Sequence, residues 1–187
     1  MDIAAIPTTI NGHAYRSRLE AFWALVLETL GVTAIYEPFT FNLPDCEYAP
    51  DFWLPECQRF LEVKPDVPTA AERHKAEQLF LAMRLHVFFL SGQPYLTGRD
   101  LFNMGVYWED GRPLGATVTI GLLYVFGLQE SQEDYDRVVY AAHHARALVD
   151  RARRVMPSIR DILAPPPPPP FPPFYDTTRE DPDHDQD

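Results

Sequence analysis

Apolar residues recur near the start of the chain at Leu19, Phe22, Trp23, Val26, Leu27 and Leu30, the i, i+3, i+4, i+7, i+8, i+11 spacing of one buried helix face. Ser17 stands where an N-cap belongs and Gly31 suits the left-handed residue after the last turn, so "SRLEAFWALVLETLG" predicts an amphipathic helix. The pattern then changes. "VTAIYEPFTF", "YAPDFWL" and "RFLEVKP" are rich in aromatic and β-branched residues and separated by turn formers, and they read as three strands. Helical spacing returns over about 69–85, with Thr69 and Glu72 as a capping box and Ala76, Leu79, Phe80 and Met83 as the apolar stripe. "HVFFLSG" reads as a short strand of a sheet interior. "GVYWEDGRPLGATVTIGLLYVFG" reads as one or two further strands with Asp110-Gly111 as a hairpin turn. A last helix from about Ser131 to Met156 carries Tyr135, Val138, Val139, Ala142, Val149 and Ala152 on one side. The order predicts an α/β domain over residues 1–163, a mixed central sheet flanked by helices.

Within this pattern, "YAPDFWLPECQRFLEVKP" is unusual because its two strands carry Asp51, Glu62 and Lys64. A hairpin looping through Pro55, Glu56, Cys57 and Gln58 sets Leu54 opposite Arg59, Phe52 opposite Leu61 and Asp51 opposite Glu62. Phe52, Leu54, Leu61 and Val63 then share one face, and Asp51, Glu62 and Lys64 share the other. Two carboxylates so placed repel unless a proton or a cation lies between them. Hard oxygen donors gathered at one point suit Mg²⁺, which takes one or two carboxylates and completes its shell with water and phosphate. Glu20, at the margin of the first helix's stripe beside Leu27, can bring a third carboxylate to the rim of the sheet; Glu28 points away. Simpler structural roles also fit these residues. A solvent-facing salt-bridge ladder accounts for the strand charges, and Ser17-x-x-Glu20 is itself a capping box.

These residues carry a resemblance. A helix bearing Glu in "RSRLEAFW", then "PDF", then "EVK" with ten residues between the "PD" aspartate and its glutamate, followed by a helix and an apolar strand, resembles the PD-(D/E)xK nuclease superfamily with its restriction-endonuclease-like fold. It covers roughly residues 15–92, and "RSRLEAFWALVLETLG" followed by "YEPF" is similar to small phage and transposon-type members. The resemblance implies a Mg²⁺-dependent phosphodiesterase, with Mn²⁺ able to substitute. Asp51, Glu62 and the main-chain carbonyl of Val63 would hold the ion, Glu20 would support it, and Lys64 would orient and help deprotonate the attacking water. Such sites usually leave a 5′-phosphate and a 3′-hydroxyl. The expected substrate is DNA; nothing in the chain separates DNA from RNA. The alternative is a catalytically silent nucleic-acid-binding or assembly subunit of a phage or transposition complex.

Charge narrows the mode of binding. The chain carries −11, but residues 165–187 contain six acids and one base and so hold −5 of it, leaving −6 on the remainder. That balance argues against coating nucleic acid through bulk electrostatics and leaves room for a local site of metal ions and a few cations. Arg16 and Arg18 precede or open the first helix, where cations oppose the helix dipole, so phosphate contact is a reasonable use for them. Lys75 and Arg73 suit either substrate contact or a solvated helix face. Arg146, Arg151, Arg153 and Arg154 favour the C-terminal dipole of the last helix, and His143-His144 lacks a third nearby ligand.

Cys46 and Cys57 are too few for a disulfide framework and read as reduced and structural. No apolar run approaches the roughly 20 residues that span a bilayer, and the N-terminus lacks signal-peptide organisation, so a cytoplasmic, unprocessed protein with no membrane partner is expected. Beyond residue 163 the composition turns to a six-proline run and then acids, a disordered tail over 164–187 in which a stiff polyproline spacer or a ligand for a proline-reading partner both fit. A chain ending at Leu163 should therefore melt cooperatively at the temperature of the full chain, as followed by circular dichroism; loss of the cooperative transition would show that the tail belongs to the fold.

Overall fold

In a computed structural model, the structure describes residues 6–97, 100–115 and 117–154. The acidic tail and the boundary expected at Leu163 lie outside the described residues. The first helix, α1 (Arg18–Leu30), forms where its period demands: Ser17 is extended and accepts the Glu20 N–H on its hydroxyl at 3.1 Å, and Gly31 ends the helix at φ 72°. Ala21 and Leu25 are buried beside the expected stripe, so α1 is enclosed on more than one side. The partner on its outer side is the last helix, α4 (Gln132–Arg154), whose buried Ala141, Ala142 and Ala145 let the two helices approach closely.

Two short strands precede α1. β1 (Thr8–Ile10) and β2 (His13–Tyr15) form a hairpin through Asn11-Gly12, both at positive φ, as a tight two-residue turn requires. The "NG" dipeptide between Thr-rich and aromatic positions is a hairpin signal that the sequence reading passed over.

The expected segment "VTAIYEPFTF" divides between β3 (Ile35–Tyr36) and β4 (Phe41–Asn42), and "YAPDFWL" divides between β5 (Glu47–Tyr48) and β6 (Phe52–Leu54). β4 and β5 pair as a separate ribbon. The central sheet adds β7 (Arg59–Lys64), β8 (Val87–Thr97) and β9 (Asp100–Tyr107), in the order β3-β6-β7-β8-β9. It is mixed, because β7 and β8 are parallel and the other neighbours antiparallel. Between β7 and β8 runs α2 (Ala70–Met83), with both halves of the Thr69–Glu72 capping box formed. β8 is longer than expected and shifts register between Gly92 and Tyr95. The hairpin registers Leu54 with Arg59 and Phe52 with Leu61, as the alternation requires.

The two faces of the sheet are covered unequally. Phe52, Leu54, Leu61, Val63, Phe88, Leu90 and Val106 enter the main core beneath α1, α4 and α3 (Val118–Phe126). On the reverse face Phe60, Val87 and Phe89 meet Tyr48 of β5 and Ala76 and Leu79 of α2. The stripe expected on α2 is narrower than its period suggests: Met83 is 48% exposed, and Phe80 stacks on His86 at 4.7 Å. The ribbon occupies the rest of that face, held to α2 by His74 Nε2 and Asp45 Oδ2, 2.6 Å apart.

One expectation is overturned. The second part of "GVYWEDGRPLGATVTIGLLYVFG" is helix α3, not a strand; only Asp100–Tyr107 is strand, and the Asp110-Gly111 turn leads the chain back to a single bridge at Pro113. Thr117 caps the Ile120 N–H and Gly127 ends the helix at φ 70°. A short apolar run buried on most sides carries no period, so its β-branched residues misled. Gly121 seats the helix. A Cβ there would stand 2.8 Å from the Leu114 carbonyl oxygen and 3.1 Å from the Val106 Cβ. Gly121→Val should thus lower stability by about 1–3 kcal/mol in urea unfolding, the usual cost of overpacking, and an unchanged midpoint would contradict this close approach.

Candidate functional site

β6 and β7 bring Asp51 and Glu62 to one end of the sheet on the face shared with α2. Main-chain pairing between these strands reaches Phe52 and Leu61, and beyond it the Asp51 side chain takes over: Oδ2 accepts the Val63 N–H at 2.7 Å. Asp51 is 3% exposed and Glu62 6%. Glu62 is satisfied twice, since Tyr48 donates its hydroxyl to Oε2 at 3.1 Å and Lys64 Nζ lies 2.7 Å from Oε1. Lys64 also reaches Glu72 Oε1 of α2 at 3.3 Å, so the capping residue of that helix doubles as a partner of the site.

From the opposite face, the start of α1 wraps around the sheet edge. Arg16 places Nη2 2.6 Å from Asp51 Oδ1 and Nε 2.7 Å from Glu37 Oε1. Glu20 is also buried, at 7% exposure, and both its oxygens are engaged. Oε1 accepts from the Ser17 hydroxyl at 2.8 Å, and Oε2 accepts from the Tyr36 hydroxyl at 2.5 Å and the Arg16 N–H at 3.2 Å. Ser17 thus caps the Glu20 N–H, but the Glu20 carboxylate takes the Arg16 N–H and the Ser17 hydroxyl instead of closing the expected capping box on the Ser17 N–H. Glu37 sits in the left-handed region at φ 44°, which costs a non-glycine residue about 1–2 kcal/mol, while its N–H donates to the Asp51 carbonyl at 2.8 Å.

A cleft of about 490 Å³ collects these groups. Arg16, Glu20, Asp51, Glu62, Val63, Lys64 and Lys75 line it, as the sequence reading grouped them; Arg18 is not among the lining residues. Glu47, Tyr48 and Glu72 are lining residues that the sequence reading did not assign to a site. Tyr48 and Glu37 carry no local signal of this role, because it depends on how a separate ribbon and a loop fold back. Among the described residues no three His, Cys, Asp or Glu side chains are gathered closely enough to hold a metal by themselves, and His143-His144 joins no such group. The candidate donors are instead two carboxylates with the Val63 carbonyl. Protein cations already lie against one oxygen of each carboxylate, which shows that positive charge is accommodated there, and an all-oxygen set suits Mg²⁺ or Mn²⁺. No protein-family model matches the chain, and comparisons with curated proteins and with solved structures give no match. No helix among the described residues is long and apolar enough to cross a membrane, and Cys46 and Cys57 are free thiols.

Burial and the neighbouring Glu62 raise the Asp51 carboxyl to about 8, against the Val63 N–H, which pulls it down. The Arg16 side chain, 55% exposed, is too well solvated to cancel that push. Burial pulls the Lys64 ammonium down, but Glu62, Asp51 and Glu72 more than offset it, so it stays charged. Burial and then the hydrogen bond to Glu20 push Tyr36 up to about 12. A carboxyl whose folded pKa is raised contributes stability below its unfolded value and loses it as pH rises through the folded one. In EDTA, the melting temperature of the protein should therefore fall between about pH 4 and pH 8, and Asp51→Asn should flatten that fall. An identical pH profile in the variant would show that Asp51 is not the strained group.

Proposed function

We propose that the chain is a Mg²⁺-dependent nuclease of the PD-(D/E)xK superfamily with a restriction-endonuclease-like fold, hydrolysing phosphodiester bonds of DNA by metal-activated water. The observation that carries this reading is the burial of Asp51 and Glu62 on one face of adjacent strands, beside Lys64 and inside an open cleft. A surface salt-bridge ladder needs none of that burial and would be more stable without it.

Asp51, Glu62 and the Val63 carbonyl would hold the ion. When bound, a divalent cation lowers the pKa of its water and offsets the charge that builds on the phosphoryl oxygens. Lys64, kept as an ammonium by the surrounding acids, would orient the attacking water and share in stabilising the phosphoryl charge. Tyr48 fixes Glu62 from the reverse side, and Glu20 acts from the rim by holding the Arg16 main chain and the Tyr36 hydroxyl. Lys75 lines the cleft from α2, and its ammonium would meet the nucleic-acid backbone there.

Incubation with supercoiled, linear and single-stranded DNA in Mg²⁺, Mn²⁺ or EDTA tests the activity and its substrate together. Under single-turnover conditions Asp51→Asn should reduce cleavage to background, and Lys64→Ala should slow it about 10²–10⁴-fold while metal binding remains measurable. Near-normal cleavage by Asp51→Asn would overturn the assignment. Absence of any metal-dependent cleavage by the native chain would favour a silent binding subunit instead.

A further inference from the structure

Of the two oxygens of Asp51, Oδ2 accepts the Val63 N–H at 2.7 Å, and Oδ1 is the one paired with a side chain, Arg16 Nη2 lying 2.6 Å from it. We infer that Arg16 and the divalent cation are alternative occupants of Asp51 Oδ1, and that the displaced guanidinium binds a backbone phosphate of the nucleic-acid substrate. The inference rests on the metal-dependent reading above and adds an order to it: metal first, phosphate grip second.

Three features support the exchange. A divalent ion on Oδ1 would stand within a few ångströms of the guanidinium, and like charges at that range repel. Arg16 is also built to let go. Its main-chain N–H is anchored by Glu20 Oε2 at 3.2 Å and by the Tyr36 hydroxyl at 3.0 Å, whereas its side chain is more than half exposed. The backbone anchor therefore does not depend on the guanidinium, whose remaining neighbours are the Tyr36 side chain and Glu20 Oε2, 3.9 Å from Nε. Finally, Glu37 gives the side chain a pivot outside the carboxylate pair. It holds Nε at 2.7 Å on a half-exposed carboxylate, on a loop tied to Asp51 through its own N–H. Lys64 has no such freedom, being held between Glu62 and Glu72 on a strand. A freed guanidinium presents a planar fork that matches phosphate, which an ammonium at the same place would not.

The test compares the full chain with Arg16→Gln and Glu37→Gln, each first shown to melt cooperatively. Titration of Mn²⁺ without nucleic acid, followed by calorimetry, should give Arg16→Gln an affinity about 5-fold or more above that of the native chain, because the competitor for Oδ1 is gone. Glu37→Gln, which only loosens the arginine, should move the same way by less, and it keeps the inference testable if Arg16→Gln does not fold. Binding of a labelled DNA duplex is then measured against salt in Ca²⁺ and in EDTA. Arg16→Gln should lower the salt slope by about 1 in Ca²⁺ and leave it unchanged in EDTA, where the native arginine is engaged by Asp51. Equal or weaker Mn²⁺ affinity in both variants, or an equal slope change with and without Ca²⁺, overturns the exchange while the metal site stands. Failure of the native chain to bind Mn²⁺ at all overturns the metal-dependent reading and the exchange with it.

Discussion

Two carboxylates buried side by side at one end of a sheet are the constraint around which the rest of this structure is arranged. Moving an ionised carboxylate out of water costs several kcal/mol unless hydrogen bonds and opposite charge replace the lost solvent, and the mutual repulsion of Asp51 and Glu62 adds to that cost. The chain meets it with six groups drawn from five places. The Val63 N–H and Lys64 come from β7, Tyr48 from β5, Glu72 by way of Lys64 from α2, and Arg16 from the approach to α1, itself held by Glu37. No single element could supply them.

The unequal coverage of the sheet makes such a site affordable. On the main-core face, Phe52, Leu54, Leu61 and Val63 are buried against α1, α3 and α4, and each large apolar side chain so buried contributes about 1.5–3 kcal/mol. That face anchors β6 and β7 in register. Because side chains alternate, the same register fixes Asp51, Glu62 and Lys64 on the reverse face, where only α2 and a small ribbon pack and the end of the sheet stays open as a cleft. The site is thus held by the core without being closed by it.

The charge balance of the cleft has a functional side under the proposed cleavage. Its lining acids outnumber its bases, and the folded part of the chain is acidic as a whole, so affinity for a polyanion has to come from bound cations and a few placed side chains. Metal loading and substrate binding then depend on one another, because each brings the charge that the other needs. A protein so balanced would bind nucleic acid weakly in the absence of metal, which limits contact with unintended substrate.

Local chemistry made much of this legible in advance. Helix α1 and its caps, the Thr69–Glu72 box, the β6–β7 register and the shared face of Asp51, Glu62 and Lys64 all follow from period, turn residues and alternation, which depend only on neighbours along the chain. What failed, or was absent, depends on contacts distant in sequence. "TVTIGLLYVFG" has no period because it is buried on most sides; Thr117 and Gly127 cap it locally, and the close approach of Gly121 to Leu114 and Val106 seats it. On α2 only Ala76 and Leu79 enter the small core, whereas Phe80 stacks on His86 and Met83 stays exposed. The partners of the carboxylates, Tyr48, Tyr36, Glu37 and the guanidinium of Arg16, are set by how the edge of the sheet is wrapped. The sequence by itself determined which charges face the same way, since alternation is a property of the strand. Only the tertiary structure decided that they are buried and paired, since burial and pairing are properties of what packs above them.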